Sequence, residues 1–74
     1  MKEILSDRLK QCRKEKSLTQ ADVARICSIT EKAYQNYEIM TREPKLDILI
    51  RIADVYEVSL DYLVGRTDNK QVNK

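Results

Sequence analysis

Apolar residues recur along this chain at helical spacing, in stretches separated by short polar steps that carry cap residues. Leu5, Leu9 and Cys12 stand at i, i+4 and i+7, which predicts a first helix over residues 4–16 with one apolar stripe and basic residues around it. Leu18 follows as an anchor for the connector. Thr19 is a natural N-cap for a second helix, and Asp22 three residues on makes a capping-box variant. Val23, Ala24 and Cys27 form the inward face of that helix, and the small Ala24 lets the next helix cross closely. After Ser28-Ile29, Thr30 caps a third helix over residues 31–39. At about 100° per residue, Glu31, Lys32, Gln35 and Asn36 share one face of it, while Ala33, Tyr34 and Tyr37 share the opposite one.

The chain then turns at Pro44, whose missing N–H and fixed φ suit a loop or a helix entry. A fourth helix is predicted over residues 46–56 and is apolar on more than one side. Leu46, Leu49, Ile50 and Ala53 make a core stripe; Ile48, Ile52 and Val55 make a second. The second stripe, continued by Val58 and Tyr62, fits either a dimer surface or packing against the first and fifth helices, and Ile26 is a further candidate for an exposed apolar contact. Ser59 caps a last short helix over residues 60–64, which Gly65 stops as a left-handed residue. Residues 1–66 are thus expected to form one domain. The polar, aperiodic residues 67–74 are expected to form a disordered tail.

Composition narrows the class. The chain has 74 residues, of which 42% are hydrophobic and 35% charged, enough for one domain with a modest core. A single Gly, a single Pro and no Phe or Trp favour helix over strands and long loops, so the fold expected is all-α. No apolar run approaches the ~20 residues that span a bilayer, and Met1-Lys2-Glu3 opens no signal-peptide pattern. A cytoplasmic chain without a membrane partner is expected. Cys12 and Cys27 fall on apolar stripes and read as small buried hydrophobes rather than a disulfide or redox switch.

With no His and only two Cys, no zinc site is expected, and the commonest general base is missing. No paired carboxylates, Gly-rich phosphate loop or nucleophile motif stands out. The expectation is a protein that is not an enzyme, with no catalytic residue, cofactor or small-molecule substrate. The net charge of +2, from 14 basic and 12 acidic residues, points only weakly to nucleic acid. Arg8, Lys10, Arg13, Lys14 and Lys16 crowd the first helix against Asp7 and Glu15, as an ordinary solvated face also would.

Two short helices, each capped at its start and set about ten residues apart, describe a helix-turn-helix, whose second helix is held out to read DNA. Around that unit a resemblance becomes specific. Leu18-Thr19-Gln20, Val23-Ala24, Tyr37-Glu38, Pro44, Leu46, Ile52-Ala53 and the run from Val58 to Thr67 are similar, in register, to the Cro/CI-type helix-turn-helix family of phage repressors and small bacterial transcription regulators. The resemblance implies a five-helix, lambda-repressor-like DNA-binding domain that contacts double-stranded DNA, most often as a homodimer on a palindromic operator. It places Glu31, Lys32 and Asn36 as base readers, with Gln35 and Ala33 beside them. The chemistry fits: Lys donates to guanine, Asn pairs bidentately with adenine, Glu accepts from the cytosine amino group, and an Ala methyl meets a thymine methyl.

The same resemblance implies phosphate contacts at Gln20 and Thr30, which stand at helix N-termini, and at Arg42 and Lys45 in the following loop, although the last two also read as plain loop charges. It matches Arg13 and Glu38 to a structural ion pair between the first helix and the end of the third. Tyr34 and Tyr37 read as core. Four positions depart from the family pattern: Ser28, Met40 and Glu57 stand where Gly is common, and Lys45 stands where a Ser-type cap is common. Local loop geometry is where the sequence leaves room for change. The competing reading is an antitoxin-like or regulatory protein-interaction module, and a restriction–modification controller is a variant of the first.

Overall fold

The computed structural model describes residues 2–71, which carry five helices and no strand: α1 (Lys2–Glu15), α2 (Gln20–Ile26), α3 (Glu31–Glu38), α4 (Leu46–Tyr56) and α5 (Leu60–Leu63). The helix starts follow their caps. Thr19 accepts from the Asp22 N–H at 3.0 Å while the Asp22 carboxylate accepts from the Thr19 N–H at 3.0 Å, a reciprocal box. Thr30 and Ser59 accept from the Ala33 and Tyr62 amides at 3.1 and 3.0 Å. Lys45 enters α4 in extended backbone, and its side chain makes no cap bond.

Each helix ends in the same way. Ser17, Ser28, Met40, Glu57 and Gly65, just past α1 to α5, all have positive φ, between 56° and 86°. The next amide in each case reaches back to a carbonyl five residues earlier, as Leu18 does to Arg13, Ile29 to Ala24 and Val58 to Ala53, each at 3.0–3.1 Å. The glycine-free ends therefore do not change the turn. They keep the left-handed cap and accept a penalty of about 1–2 kcal/mol per residue. Ser17 is a fourth such position beyond the three singled out by the family pattern.

α2 packs against α3 and α4, α1 packs against α3 and α5, and α4 against α5. The core at their centre is built from Leu5, Leu9 and Cys12 of α1, Val23 and Ala24 of α2, Tyr34 of α3, Leu49, Ile52, Ala53 and Tyr56 of α4, and Leu63 of α5. Cys12 and Cys27 are both buried and free. Among the described residues, no helix is long and apolar enough to cross a membrane.

The structure corrects the reading of α4. Its inward face centres on Leu49, Ile52, Ala53 and Tyr56, with Ile48 and Val55 half-buried along one edge. Leu46 and Ile50, assigned to the core stripe, lie on the other edge and are 66% and 42% exposed. The reason is geometric: eight apolar positions are wider than the strip that α2 and α5 can cover, so one margin stays open. Ile52, Val58 and Tyr62, offered as a dimer surface, are buried, which settles them as packing residues. Ile26, offered as an exposed apolar contact, is half-exposed.

The segment after α5 also differs from expectation. Residues 67–71 lie along the domain: Arg8 donates to the carbonyls of Tyr62 and Thr67 and to the Asp68 carboxylate, and the Ser59 N–H donates to the Lys70 carbonyl at 3.0 Å. Lys70 reaches the Glu15 carboxylate at 3.1 Å. Polarity read as disorder here reflects a segment held by directed hydrogen bonds rather than by apolar burial. Residues 72–74 of the expected tail lie outside the described residues.

Candidate nucleic-acid interface

α3 is an eight-residue helix held by one buried face and open on the other. Tyr34 and Glu38, one turn apart, are 0% and 2% exposed. On the outward side Glu31 and Lys32 are exposed and Gln35 and Asn36 partly exposed, so these four share one accessible surface; Ala33, on the other face by its spacing, is partly exposed as well. Two of them are tied together: Gln35 Nε2 donates to Glu31 Oε2 at 3.2 Å. That bond gives the Glu31 carboxylate a donor of its own and restrains the pair as a unit. Lys32 and Asn36 make no side-chain bond among the described residues. Ile39, at the end of the helix and 60% exposed, continues the same face. Sequence reasoning left it unplaced, although its spacing of seven from Lys32 already puts it there.

The frame around α3 carries the other candidates. Thr30 is exposed at the helix start, but its hydroxyl oxygen is occupied by the Ala33 amide. Arg42 and Lys45 are exposed in the loop that leaves α3, without an ion pair among the described residues. That loop is braced by Asn36, whose carbonyl accepts from the Thr41 N–H at 3.0 Å and its hydroxyl at 3.3 Å. Gln20 is placed differently from a simple phosphate contact. Its amide donates to Glu38 Oε1 at 3.1 Å, so it braces the end of α3. The basic run of α1 is largely committed inside the domain, with Arg8 on the C-terminal segment, Arg13 on Glu38 and Lys16 on Glu57.

Glu38 is the electrostatic centre of this frame. Arg13 donates to it through Nε at 2.7 Å and Nη2 at 3.3 Å, and through Nη1 to the Leu18 carbonyl at 3.2 Å. Ser6, two turns before Arg13 on α1, donates to the Glu38 carbonyl. Burial alone pushes the Glu38 carboxyl up, but hydrogen bonds from Arg13, Tyr34 and Gln20 outweigh it and hold it below the ordinary carboxylate range. The carboxylate is therefore charged and fully accepting at neutral pH. Among the described residues no group of His, Cys, Asp and Glu is arranged to hold a metal.

A short capped helix held outward by a buried ion pair, behind a second helix that crosses it, defines a helix-turn-helix domain. A helix-turn-helix family model (HTH_3) matches residues 9–63. The chain is 45% identical over 69 residues to the uncharacterised HTH-type transcriptional regulator YqaE of Bacillus subtilis, covering 93% of this chain and 60% of that protein. It is 34% identical over 70 residues to the HTH-type transcriptional regulator ImmR of the same organism, covering 95% and 55%. With the cryptic phage CTXphi transcriptional repressor RstR of Vibrio cholerae it shares 38% over 69 residues, covering 90% and 62%. No solved structure gives a significant match. The chain belongs to the Cro/CI (XRE-type) helix-turn-helix family, which is non-enzymatic and has the lambda-repressor-like all-α fold. It spans somewhat more than half the length of these relatives.

Proposed function

We propose that this chain is a sequence-specific double-stranded-DNA-binding transcriptional regulator, a cytoplasmic repressor that binds a palindromic operator as a homodimer. The observation that carries it is the outward face of α3, where Lys32 and Asn36 stand unengaged while the buried face is fixed by Tyr34 and Glu38. α3 enters the major groove with Glu31, Lys32, Gln35 and Asn36 at base edges and Ala33 beside them. Arg42 and Lys45, with the N-terminal ends at Gln20 and Thr30, meet phosphate. The repressor role is supported by RstR, which is named a transcriptional repressor.

The homodimer contact is assigned to the open margin of α4. Leu46 and Ile50 are exposed there, beside a groove between α4 and α5 that Ile50 and Leu60 share with Asp54 and Asp61. A two-fold contact at this face sets two copies of α3 a fixed distance apart, to be matched by half-sites about one DNA turn apart. Ile50→Glu tests it without disturbing the core. Sedimentation against concentration is expected to show at least about a tenfold weaker dimer. A chain that is monomeric at high micromolar concentration without any substitution would remove the dimer from this reading.

Selection from a randomised DNA pool at two salt concentrations tests DNA reading itself. The expected result is a palindromic site whose affinity falls steeply with salt, with a log–log slope of about −0.9 for each phosphate neutralised. Absent or salt-insensitive binding would turn the assignment toward the protein-interaction module.

A further inference from the structure

All four aromatic residues of the chain are tyrosines. Two of them, Tyr34 of α3 and Tyr56 of α4, are almost wholly buried, at 0% and 2% exposure. Phe would fill the same volume without burying a hydroxyl, which costs free energy unless it is bonded. The two hydroxyls bond each other, and that of Tyr34 also acts electrostatically on the Glu38 carboxylate. Either hydroxyl can donate within the pair, and both directions tie α3 to α4. Glu38 thus gathers Arg13 from α1, Gln20 from α2 and, through Tyr34, Tyr56 from the last turn of α4.

The geometry constrains the roll of α3 about its own axis. Tyr34 and Glu38 lie on one face, one turn apart, and apolar contacts there would tolerate a small rotation. Directed bonds do not. A roll of about 20° moves a group about 6 Å from the axis by about 2 Å, enough to break a hydrogen bond inside and to misplace a base contact outside. We propose that the Tyr56–Tyr34 hydroxyl pair is a positioning device for base reading, locking the roll of α3 through Glu38 from α4, the helix that also carries the face assigned to the dimer. This rests on the DNA-reading function proposed above. It makes the register of the two reading helices and their roll depend on one element.

Tyr56→Phe is the test, since it removes one hydroxyl of the pair and leaves Tyr34 and the Glu38 contacts of Arg13 and Gln20 in place. Specific affinity for the selected site is read against affinity for random-sequence DNA, with thermal unfolding measured on the same samples. The expected result is a roughly fivefold fall in the specific-to-random ratio, with random-sequence affinity unchanged, as for the loss of one directed bond. Tyr34→Phe is expected to lower the ratio at least as far. Val55→Ala, half-buried on α4 and outside the network, supplies the control for a loosened core and is expected to lower thermal stability while keeping the ratio. A ratio unchanged in both tyrosine variants, or lowered equally by Val55→Ala, overturns the positioning role while DNA reading stands. An unmodified chain that shows no sequence preference overturns the DNA reading and this inference with it.

Discussion

Glu38→Ala is expected to cost about 3 kcal/mol of stability, at the low end for a buried pair, because it strands a part-buried cation rather than merely deleting a contact. The intact ion pair contributes little on balance, since most of the attraction between the Arg13 guanidinium and the carboxylate is offset by the cost of taking both from water. Removing the carboxylate leaves that cost uncompensated. Arg13, with 17% of its side chain exposed, keeps only the Leu18 carbonyl, while the Gln20 amide loses its acceptor. A domain of this size has a total stability of roughly 4–10 kcal/mol at about 0.05–0.15 kcal/mol per residue. The loss is therefore a large share of the whole, and thermal unfolding followed by circular dichroism is expected to move down by at least about 12 °C. Glu38→Gln, which retains one oxygen and the volume, is expected to lose less. Because Arg13 and Glu38 serve one network, the Arg13→Ala, Glu38→Ala double variant is expected to cost clearly less than the two single changes added together. A Glu38→Ala protein that unfolds within about 1 kcal/mol of the parent would show that the carboxylate is not the hub its bonds describe.

What the sequence made legible, and what it left hidden, follows the range of the interactions. The starts of α2, α3 and α5 were readable because Thr19, Thr30 and Ser59 bond amides three residues on, so that the signal and its partner sit in one short window. The polar face of α3 was readable for the same reason. The hidden features join residues far apart. Tyr34 meets Tyr56 across 22 positions and Gln20 meets Glu38 across 18, and periodicity places such groups only on a face, never on a partner. The Arg13–Glu38 contact was reachable through the family resemblance and not through the helical wheel.

α4 failed in a different way. Its eight apolar residues say that the helix is mostly covered, but which margin stays open depends on how wide its neighbours are. The helix ends show the converse. Ser28, Met40 and Glu57 lack the expected glycine, yet the carbonyls that each chain end must satisfy impose the left-handed turn all the same. Composition gave no sign of the bonds in residues 67–71, since the Thr67 carbonyl accepts from Arg8 and the Lys70 carbonyl from the Ser59 N–H, and no side-chain pattern announces either.

Asn36→Ala and Lys32→Ala are each expected to cost about 1–3 kcal/mol at the selected site and to do so unevenly across base pairs. The two side chains are unengaged in the free domain, so no internal bond must be broken before they reach a base edge. Asn36 matches the donor and acceptor of adenine and Lys32 the acceptors of guanine, and a substitution is expected to relax preference at those base pairs alone. Glu31 and Gln35 differ because they start bonded to one another, and the base contact of either must replace that bond. Their alanine variants are therefore expected to be milder. Arg42→Ala supplies the contrast: a phosphate contact is blind to sequence, so affinity is expected to fall alike for every site, with the salt slope reduced by about 1. Competition binding of the selected site against single-base variants, at two salt concentrations, separates the two patterns. If Asn36→Ala and Lys32→Ala keep the full preference of the parent while Arg42→Ala relaxes it, the reading surface lies in the loop after α3 and not on the helix.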